Sequence, residues 1–380
     1  MVAERGAESS AAMSTDYVVN PDDRILITGS NGFIGVRAVN TLLEYGFTSL
    51  RCFVRPSSHV DRLKEAVDRF PAGTDVELIR GDLLSQNDCR EAAKGVSVIY
   101  HLAAGSDKSF AGAFMNSVLT TRNLIEAFLE HGRPRRFVNV SSFAVYSNLT
   151  LERGGLLDES CPLEDAPQER FDAYGFGKLK QEELVRDYGA RYSLPYVIIR
   201  PGAVFGPGKR DLSGRVGIST FGFFVHLGGS NSLPLTFVDN CAEAIVLAGL
   251  QLGADGETFN VVDDDLLSSR EFLRAYKEKT GSFSMSMPYV LTRILCGVWE
   301  KYSKWSNGQL PPVFNRRRCA AEWKGNRYSN EKLRQRLGWK PRVNMKEAME
   351  AFLAQFDANG EDRDQMSEVG SQLSDAEVKR

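Results

Sequence analysis

Tyr174-Gly175-Phe176-Gly177-Lys178 sets a phenol and an ammonium four residues apart, one turn of helix and one face. A Tyr with a pKa near ~10 is a poor base at neutral pH. A neighbouring Lys⁺ stabilises the phenolate and draws that pKa down, so the pair can pass a proton. Upstream, the apolar run Phe137–Val140 ends in Ser141-Ser142, whose hydroxyls can hydrogen-bond a reacting oxygen while the proton moves. Neither feature is specific alone. Tyr–Lys pairs decorate many helix surfaces, and a Ser pair after a strand is usually a cap.

A third feature gives the pair its setting. The first strand runs into Thr28-Gly29-Ser30-Asn31-Gly32-Phe33-Ile34-Gly35, and a helix follows at once. In this G-x-x-G-x-x-G spacing the first Gly permits a tight turn, the second lets backbone approach a pyrophosphate, and the third lets helix and strand pack closely. The helix N-terminus offers free N–H groups to phosphate. With a second strand beginning about 15 residues after Gly35, the loop reads as a dinucleotide site rather than an ordinary βα turn. NAD binders usually end that second strand in Asp or Glu. Here it ends Phe53-Val54-Arg55-Pro56-Ser57-Ser58. Arg55 is placed to pair with a 2′-phosphate, aided by an adjacent Ser hydroxyl, so NADP(H) is favoured over NAD(H). The plainer alternative is that Arg55 caps a solvated loop. Asp82, in Gly81-Asp82-Leu83 after the third strand, is placed to meet an adenine amino group.

The elements that must position these groups are short apolar runs alternating with helical patterns. The expected strands are Ile25–Ile27, Leu50–Val54, Val76–Ile79, Val96–Leu102, Phe137–Val140, Tyr196–Ile199 and Thr258–Val262. Ile34, Ala38 and Leu42, with Val39 and Leu43 beside them, form one helical face, and Asn116–Leu129 and Tyr174–Tyr188 read as further helices. This predicts an α/β fold: a Rossmann doubly wound parallel sheet with a smaller C-terminal substrate-binding lobe. The nucleotide-binding core is expected over about 24–200 plus 257–265, the lobe over about 201–256 and 266–357, and disordered tails over 1–20 and 358–380.

Composition narrows the function classes. The 380 residues carry 47 Lys+Arg against 49 Asp+Glu, a net charge of −2, which argues against nucleic acid as a partner. Cys52, Cys89, Cys161, Cys241, Cys296 and Cys319 stand singly and the four His are scattered, so no metal site is expected. No stretch is long and apolar enough for a membrane span, and the N-terminus lacks a signal-peptide pattern, so a cytoplasmic protein with a small-molecule substrate is expected. Met287–Trp299 is the most apolar later stretch. It reads as a core helix first, with a lid over an apolar substrate or a lipid-touching surface as alternatives. Asp263-Asp264-Asp265 reads as a polar turn before a helix start at Ser268-Ser269-Arg270-Glu271.

TGSNGFIG, GDLL, HLAAG, VSSFAVY, YGFGK and RPGAVFGPG, in that order, resemble the extended short-chain dehydrogenase/reductase superfamily, which includes the NAD-dependent epimerase/dehydratase family. The resemblance covers roughly residues 24–355. It implies that Tyr174 is the acid/base, that Lys178 lowers its pKa and binds the nicotinamide ribose, and that Ser142 rather than Ser141 is the catalytic hydroxyl. It also implies cofactor contacts at Gly29, Asn31, Gly32, Phe33, Ile34, Gly35, Arg55, Asp82, Leu83, Ala103 (within His101-Leu102-Ala103-Ala104), Tyr174, Lys178 and Pro201. Asn116 resembles the helix Asn of the family and reads as structural.

Within the superfamily, Phe237-Val238-Asp239-Asn240 and the VRP end of the second strand resemble the 3-beta-hydroxysteroid dehydrogenase and dihydroflavonol reductase branch. The Asn that sugar-nucleotide epimerases commonly carry near Gly202 is absent, and Phe143 and Ala144 stand where dehydratases carry acids. The expected function is therefore a dehydrogenase or reductase interconverting a secondary alcohol and a ketone, with a homodimer left open. Alternatives are a sugar-nucleotide epimerase, for which Arg316-Arg317-Arg318 and Arg327 could clamp a diphosphate, and a non-catalytic dinucleotide sensor.

Overall fold

Seven runs of mostly β-branched and aliphatic residues become seven strands: β1 Ile25–Thr28, β2 Ser49–Val54, β3 Asp75–Arg80, β4 Val98–His101, β5 Arg136–Val140, β6 Tyr196–Pro201 and β7 Thr258–Val261. These are the seven anticipated runs, within a residue or two at each end. A computed structural model of the chain describes residues 17–357 except 71–73, 106, 221–222 and 308. The strands form one sheet in the order β3-β2-β1-β4-β5-β6-β7, every pairing parallel. The order reverses between β1 and β4, the switch point at which doubly wound sheets bind ligands.

Side chains alternate between two cores. Ile25, Ile27, Val98, Tyr100, Val138, Val197 and Ile199 face one way and Leu26, Ile99, Phe137 and Ile198 the other. Helices α1 (Gly35–Glu44) and α2 (Thr120–His131) cover opposite faces, α1 through Ala38, Val39 and Leu42 and α2 through Leu124, Ile125 and Phe128. Helix α3 (Ala173–Tyr192) lies on the α2 side through Val185 and Tyr188. Helix α4 (Val238–Leu250) joins α1 on the other side.

The placement of α4 moves the expected domain boundary. Ala242, Ile245, Val246 and Leu250 are fully buried against the sheet, as are Leu333 and Trp339, so both segments belong to the core rather than to the lobe. The expected tail over 1–20 also gives way. Tyr17 bridges Gln251, the Val18 N–H donates to the Leu250 carbonyl (2.9 Å), and Val19 is buried. The tail expected over 358–380 lies outside the described residues, as do 1–16.

The lobe is built around Phe205, Phe237, Phe272 and Phe352 and carries a three-stranded sheet of Gly217–Thr220, Phe223–His226 and Ser284–Ser286. Helices α5 (Tyr289–Trp305) and α6 (Arg316–Trp323) pack together beside it through Cys296, Cys319 and Trp323. Ser268 and Glu271 make the expected capping box. Asp263, however, is not a turn residue. It is buried, accepts hydrogen bonds from Thr236 Oγ1 (3.1 Å), the Phe237 N–H (2.8 Å) and Asn240 Nδ2 (3.0 Å), and burial raises its pKa to about 6. Asn240 also accepts from the Val343 N–H (3.0 Å), so the Val-Asp-Asn motif is a structural link between the sheet and the C-terminal segment.

A buried ion pair fixes α3 to the sheet. Arg200 on β6 donates from Nε to Glu182 Oε1 (2.9 Å) and from Nη2 to Oε2 (2.6 Å), and both side chains are almost fully buried. Burial alone would raise the Glu182 pKa, but the Arg200 guanidinium carries it below the usual range. Removing one charge of such a pair leaves the other buried and uncompensated. Glu182→Gln is expected to lower stability by about 3–5 kcal/mol, read from the midpoint of denaturant unfolding. A loss under about 1 kcal/mol would show that Arg200 is solvated in another way.

Candidate active site

β1 ends at Thr28 and the chain turns through Gly29, whose φ of +70° favours Gly. A Cβ at Gly29 would meet the Ala103 nitrogen at 2.9 Å, and one at Gly35 would meet the Gly29 carbonyl oxygen at 2.0 Å. The first and third glycines are thus required by close backbone approach. The Gly32 N–H closes the turn onto the Gly29 carbonyl (3.0 Å), and α1 starts at Gly35 with no described side chain capping it. The Val36 N–H donates to the Gly32 carbonyl (3.2 Å), and the positive end of the helix remains to favour an anion.

The loop opens onto a cavity of about 960 Å³ along the C-terminal ends of the strands. Gly29, Gly32, Phe33, Ile34 and Gly35 line it on one side, and Ser142, Tyr174, Lys178 and Pro201 on the other. Nine of the anticipated site residues thus share one cavity. Asn31, Arg55, Asp82, Leu83 and Ala103 lie behind or beside its wall. Asn31 donates to the His59 carbonyl (3.3 Å), Ala103 donates from its N–H to Thr28 Oγ1 (3.3 Å), and Leu83 is buried with its carbonyl on Asn123 Nδ2 (3.1 Å). Asp82 Oδ1 accepts from the Leu84 N–H (2.9 Å). Arg55 is exposed in the turn after β2, which Arg80 steadies by donating to the Pro56 carbonyl (2.7 Å).

At the reacting end, Ser141 and Ser142 follow β5 and divide as adjacent strand residues do. Both line the cavity, but Ser141 is buried beside Glu182, whereas Ser142 accepts from the Ala144 N–H (3.2 Å) and lies against the Tyr174 phenol. Tyr174 keeps 38% of its surface exposed to the cavity. Burial raises its pKa, the Ser142 hydroxyl lowers it and Asp172 raises it. Lys178, four residues on, is only 2% exposed. Its ammonium donates to the Val140 carbonyl (2.6 Å) and to Gln181 Oε1 (3.0 Å), and burial lowers its pKa to about 8 against the charge of Glu182. Asn116 stands apart, donating to Asp107 Oδ2 (2.9 Å), in keeping with a structural role.

Sequence reasoning missed the hydrogen-bonded chain behind Lys178. Gln181 Nε2 donates to Thr121 Oγ1 (2.7 Å), Thr121 Oγ1 bonds the Ser117 carbonyl and sits 2.9 Å from His101 Nε2, and His101 Nδ1 lies 2.8 Å from Thr28 Oγ1. The donors fix one sense. Thr28 Oγ1 gives its proton to Nδ1, and His101 donates from Nε2. The imidazole is neutral, its pKa lowered to about 3 by burial and then by the Lys178 charge. Gln181, one helical turn from Lys178, was legible; Thr121 carries no signal. Also missed are Lys209 and Arg215, cations on the cavity wall.

Two expectations are corrected. Three of the four arginines proposed to clamp a diphosphate are committed elsewhere, Arg317 to Glu164 (2.8 Å), Asp165 (2.8 Å) and Glu169 (3.1 Å), Arg318 to Glu322 (3.0 Å), and Arg327 to the Gly154 carbonyl (3.1 Å), while Arg316 lines a separate groove against α5. Met287–Trp299 is not a buried core helix and does not line the cavity: Thr292, Cys296 and Gly297 face inward, but most of its apolar side chains are exposed.

This geometry accords with the comparisons. The chain matches the NAD dependent epimerase/dehydratase family over residues 25–261 and belongs to that family. It is 26% identical over 373 residues to "Sterol-4-alpha-carboxylate 3-dehydrogenase, decarboxylating" of Mus musculus, covering 93% of this chain and 96% of that one. It is 27% identical over 354 residues to "3 beta-hydroxysteroid dehydrogenase/Delta 5-->4-isomerase" of Mycobacterium tuberculosis, covering 88% and 90%. Its fold is similar to that of UDP-glucuronic acid 4-epimerase from Bacillus cereus in complex with NAD, with a TM-score of 0.64 and 20% identity over 89% of this chain and 97% of that one. The chain is thus an enzyme of the extended short-chain dehydrogenase type, a dehydrogenase/reductase or an epimerase, acting on a small molecule. No helix among the described residues is long and apolar enough to cross a membrane.

The neutral His101 has a consequence in acid. Its folded pKa of about 3 lies below the unfolded value of ~6.5, so only the unfolded chain takes up this proton as pH falls. Stability is present above that unfolded value and lost below it. Between about pH 7 and pH 5 the wild type is expected to lose about 2 kcal/mol more than His101→Asn, measured by denaturant unfolding at each pH. Parallel pH profiles for the two proteins would show that His101 is protonated in the folded state.

Proposed function

We propose that the enzyme interconverts a secondary alcohol and a ketone on a largely apolar substrate, with NADP(H) as hydride carrier. The observation that carries this reading is the meeting of Ser142, Tyr174 and Lys178 with the glycine loop in one cavity. A dinucleotide fits the loop: a Cβ at Gly29 or Gly35 would close it, and the α1 N-terminus faces the cavity. Gly29, Asn31, Gly32, Phe33, Ile34, Gly35, Leu83, Ala103 and Pro201 would hold it. The adenine contact assigned to Asp82 would use Oδ2, since Oδ1 is occupied by its own turn. When bound, such a cofactor accepts or supplies the hydride.

The chain's own groups manage the proton. Ser142 holds the substrate oxygen, and Tyr174 takes or gives its proton. Lys178 brings a positive charge to the same cavity, and that charge favours the phenolate. Burial keeps the Tyr174 pKa high in the free protein, so the charge and the reacting oxygen must offset it. Beyond Tyr174 the cavity is walled by Val204, Leu212, Val216, Leu235, Phe272 and Phe352. That wall, rather than α5, supports an apolar ring alcohol, bound at about 25 cal/mol per Å² of apolar area removed from water. The names of the sterol and steroid dehydrogenase relatives favour the same class.

The sugar-nucleotide epimerase remains the second reading, favoured by Lys209 and Arg215 on the wall. Gly202 weighs against it. A Cβ there would meet the Pro234 carbonyl oxygen at 2.1 Å, so no Asn fits at that position without displacing backbone. Turnover of ring alcohols without epimerisation of UDP-sugars is the expected result, and the reverse would install the epimerase.

Tyr174→Phe is expected to bind cofactor nearly as the wild type does and to lose about a hundredfold or more in turnover, as when general acid–base catalysis is removed. Wild-type turnover in this variant would end the assignment. The cofactor preference rests on Arg55, where a carboxylate would repel a 2′-phosphate. Arg55→Ala is expected to weaken NADPH binding by roughly 1–3 kcal/mol and to leave NADH binding unchanged. Titration of both cofactors decides it, and equal losses would mean that Arg55 meets no phosphate.

A further inference from the structure

Helix α5 packs inward through the buried Thr292, Cys296, Gly297 and Ser303, with Tyr289 and Trp299 half-buried at the margins. Its other face presents Val290, Leu291, Ile294, Leu295, Val298 and Trp305, between 46% and 76% exposed. At 100° per residue these six fall within an arc of 140°, which Lys301, near its Val290 edge, interrupts, and which is wider than scattered surface apolars make. Along one edge of the arc stand Arg293 and Lys301, and Arg316 from α6 reaches them beside Gly297, where a Cβ would meet its Nε at 2.9 Å. A groove of about 360 Å³ runs there, with Val290, Ile294 and Val298 on one wall and Arg293, Lys301 and Arg316 on the other. Arg153 approaches the Tyr289 ring at 5.7 Å, and the Arg293 charge lowers the pKa of Lys324, adding two more cations at the N-terminal end. The acidic group on the helix, Glu300, is engaged by Lys304 (3.2 Å) and Arg316 (3.9 Å).

The chain as a whole carries a net charge of −2, so this concentration of cations beside an apolar face is local. An apolar arc edged by Lys and Arg, with Trp at its end, is the pattern of a helix lying in the plane of a membrane interface. The helix is too short to cross. We propose that α5 seats this enzyme on the surface of an anionic phospholipid bilayer: the face from Val290 to Trp305 enters the acyl boundary, and Arg293, Lys301 and Arg316 hold headgroup phosphates. The opposite side of α6 contributes Ala321 and Glu322 to the cavity wall. The seat therefore lies one helix away from the site, on the side from which an apolar substrate would leave a bilayer.

Flotation of the full chain with vesicles tests this. Phosphatidylcholine vesicles carrying phosphatidylserine are expected to retain the protein, and retention should fall as salt is raised. Val298→Asp and Ile294→Asp should each lower partitioning at least about tenfold. The triple variant R293Q/K301Q/R316Q should lower it about a hundredfold on anionic vesicles, at about fivefold per charge, with little change on phosphatidylcholine alone. Turnover of a water-soluble alcohol and the unfolding midpoint should stay at wild-type values in all three. Wild-type partitioning by Val298→Asp, or binding indifferent to phosphatidylserine, would overturn the proposal. So would a self-associating chain that Val298→Asp renders monomeric without any vesicle binding, because the face would then belong to a second copy.

Discussion

The buried ammonium of Lys178 is the constraint from which the site follows. A cation at 2% exposure must be bonded by acceptors that cannot move away. The Val140 carbonyl, at the end of β5, and Gln181, on the same helix, are those acceptors. Gln181 can serve only if its amide nitrogen has its own partner, which is Thr121. Thr121 in turn sits against His101, and His101 against Thr28 at the root of the glycine loop. Each member uses its donors and acceptors in one sense, so the loop, β4, α2 and α3 are joined through side chains as well as through packing. The same burial holds His101 neutral, and the Lys178 charge adds to it.

A burial argument also separates the two serines. Both line the cavity, but Ser141 is buried beside Glu182, whose charge Arg200 already balances, and Ser142 lies against the Tyr174 phenol. The Glu182–Arg200 pair therefore does two things. It anchors α3 to β6, and it lies close enough to Lys178 to raise an amine pKa that burial lowers to about 8. The charge on Lys178 is thus supported by Glu182, a residue outside the cavity lining.

Much of this was legible in the sequence, for reasons that differ by element. The inner strands stood out because strands buried on both faces are mostly apolar runs, whereas the edge strand β3 is largely exposed. The glycine loop stood out because close approach leaves no room for a Cβ at Gly29 or Gly35. Tyr174, Lys178 and Ser142 were found by spacing and by resemblance, and the fold brings them to one cavity. What escaped depends on contacts between residues distant in sequence. Thr121 has no motif, and its role arises where α2 crosses behind α3. Asp263 looked like a turn residue because three acids in a row suggest solvent, whereas three donors from another segment bury the first. Helix α4 is buried nearly all round, so it lacks the one-sided periodicity that assigns a helix to a face, and it fell into the wrong lobe.

Helix α5 misled for the opposite reason. Thirteen mostly apolar residues read equally well as core or as exposed face, and only the neighbours decide. Those neighbours give it a second importance. Trp323 of α6 donates to the Gly214 carbonyl (2.8 Å), and Arg215 donates to the Ala321 carbonyl (3.0 Å) beside the Tyr328 hydroxyl. Arg215 is one of the cations on the cavity wall, and its guanidinium is held by α6. Helix α6 is in turn packed on α5 through Cys296 and Cys319. The position of the charge that a substrate meets is therefore set by a helix whose own outer face stands open. A shift of α5 would move Arg215 relative to the apolar wall of Leu212, Val216 and Phe272, while the Lys178 chain, bonded to the sheet, would stay in place. In this fold Lys178 is bonded to the core, whereas Arg215 on the cavity wall is held by the part of the lobe nearest the exposed helix.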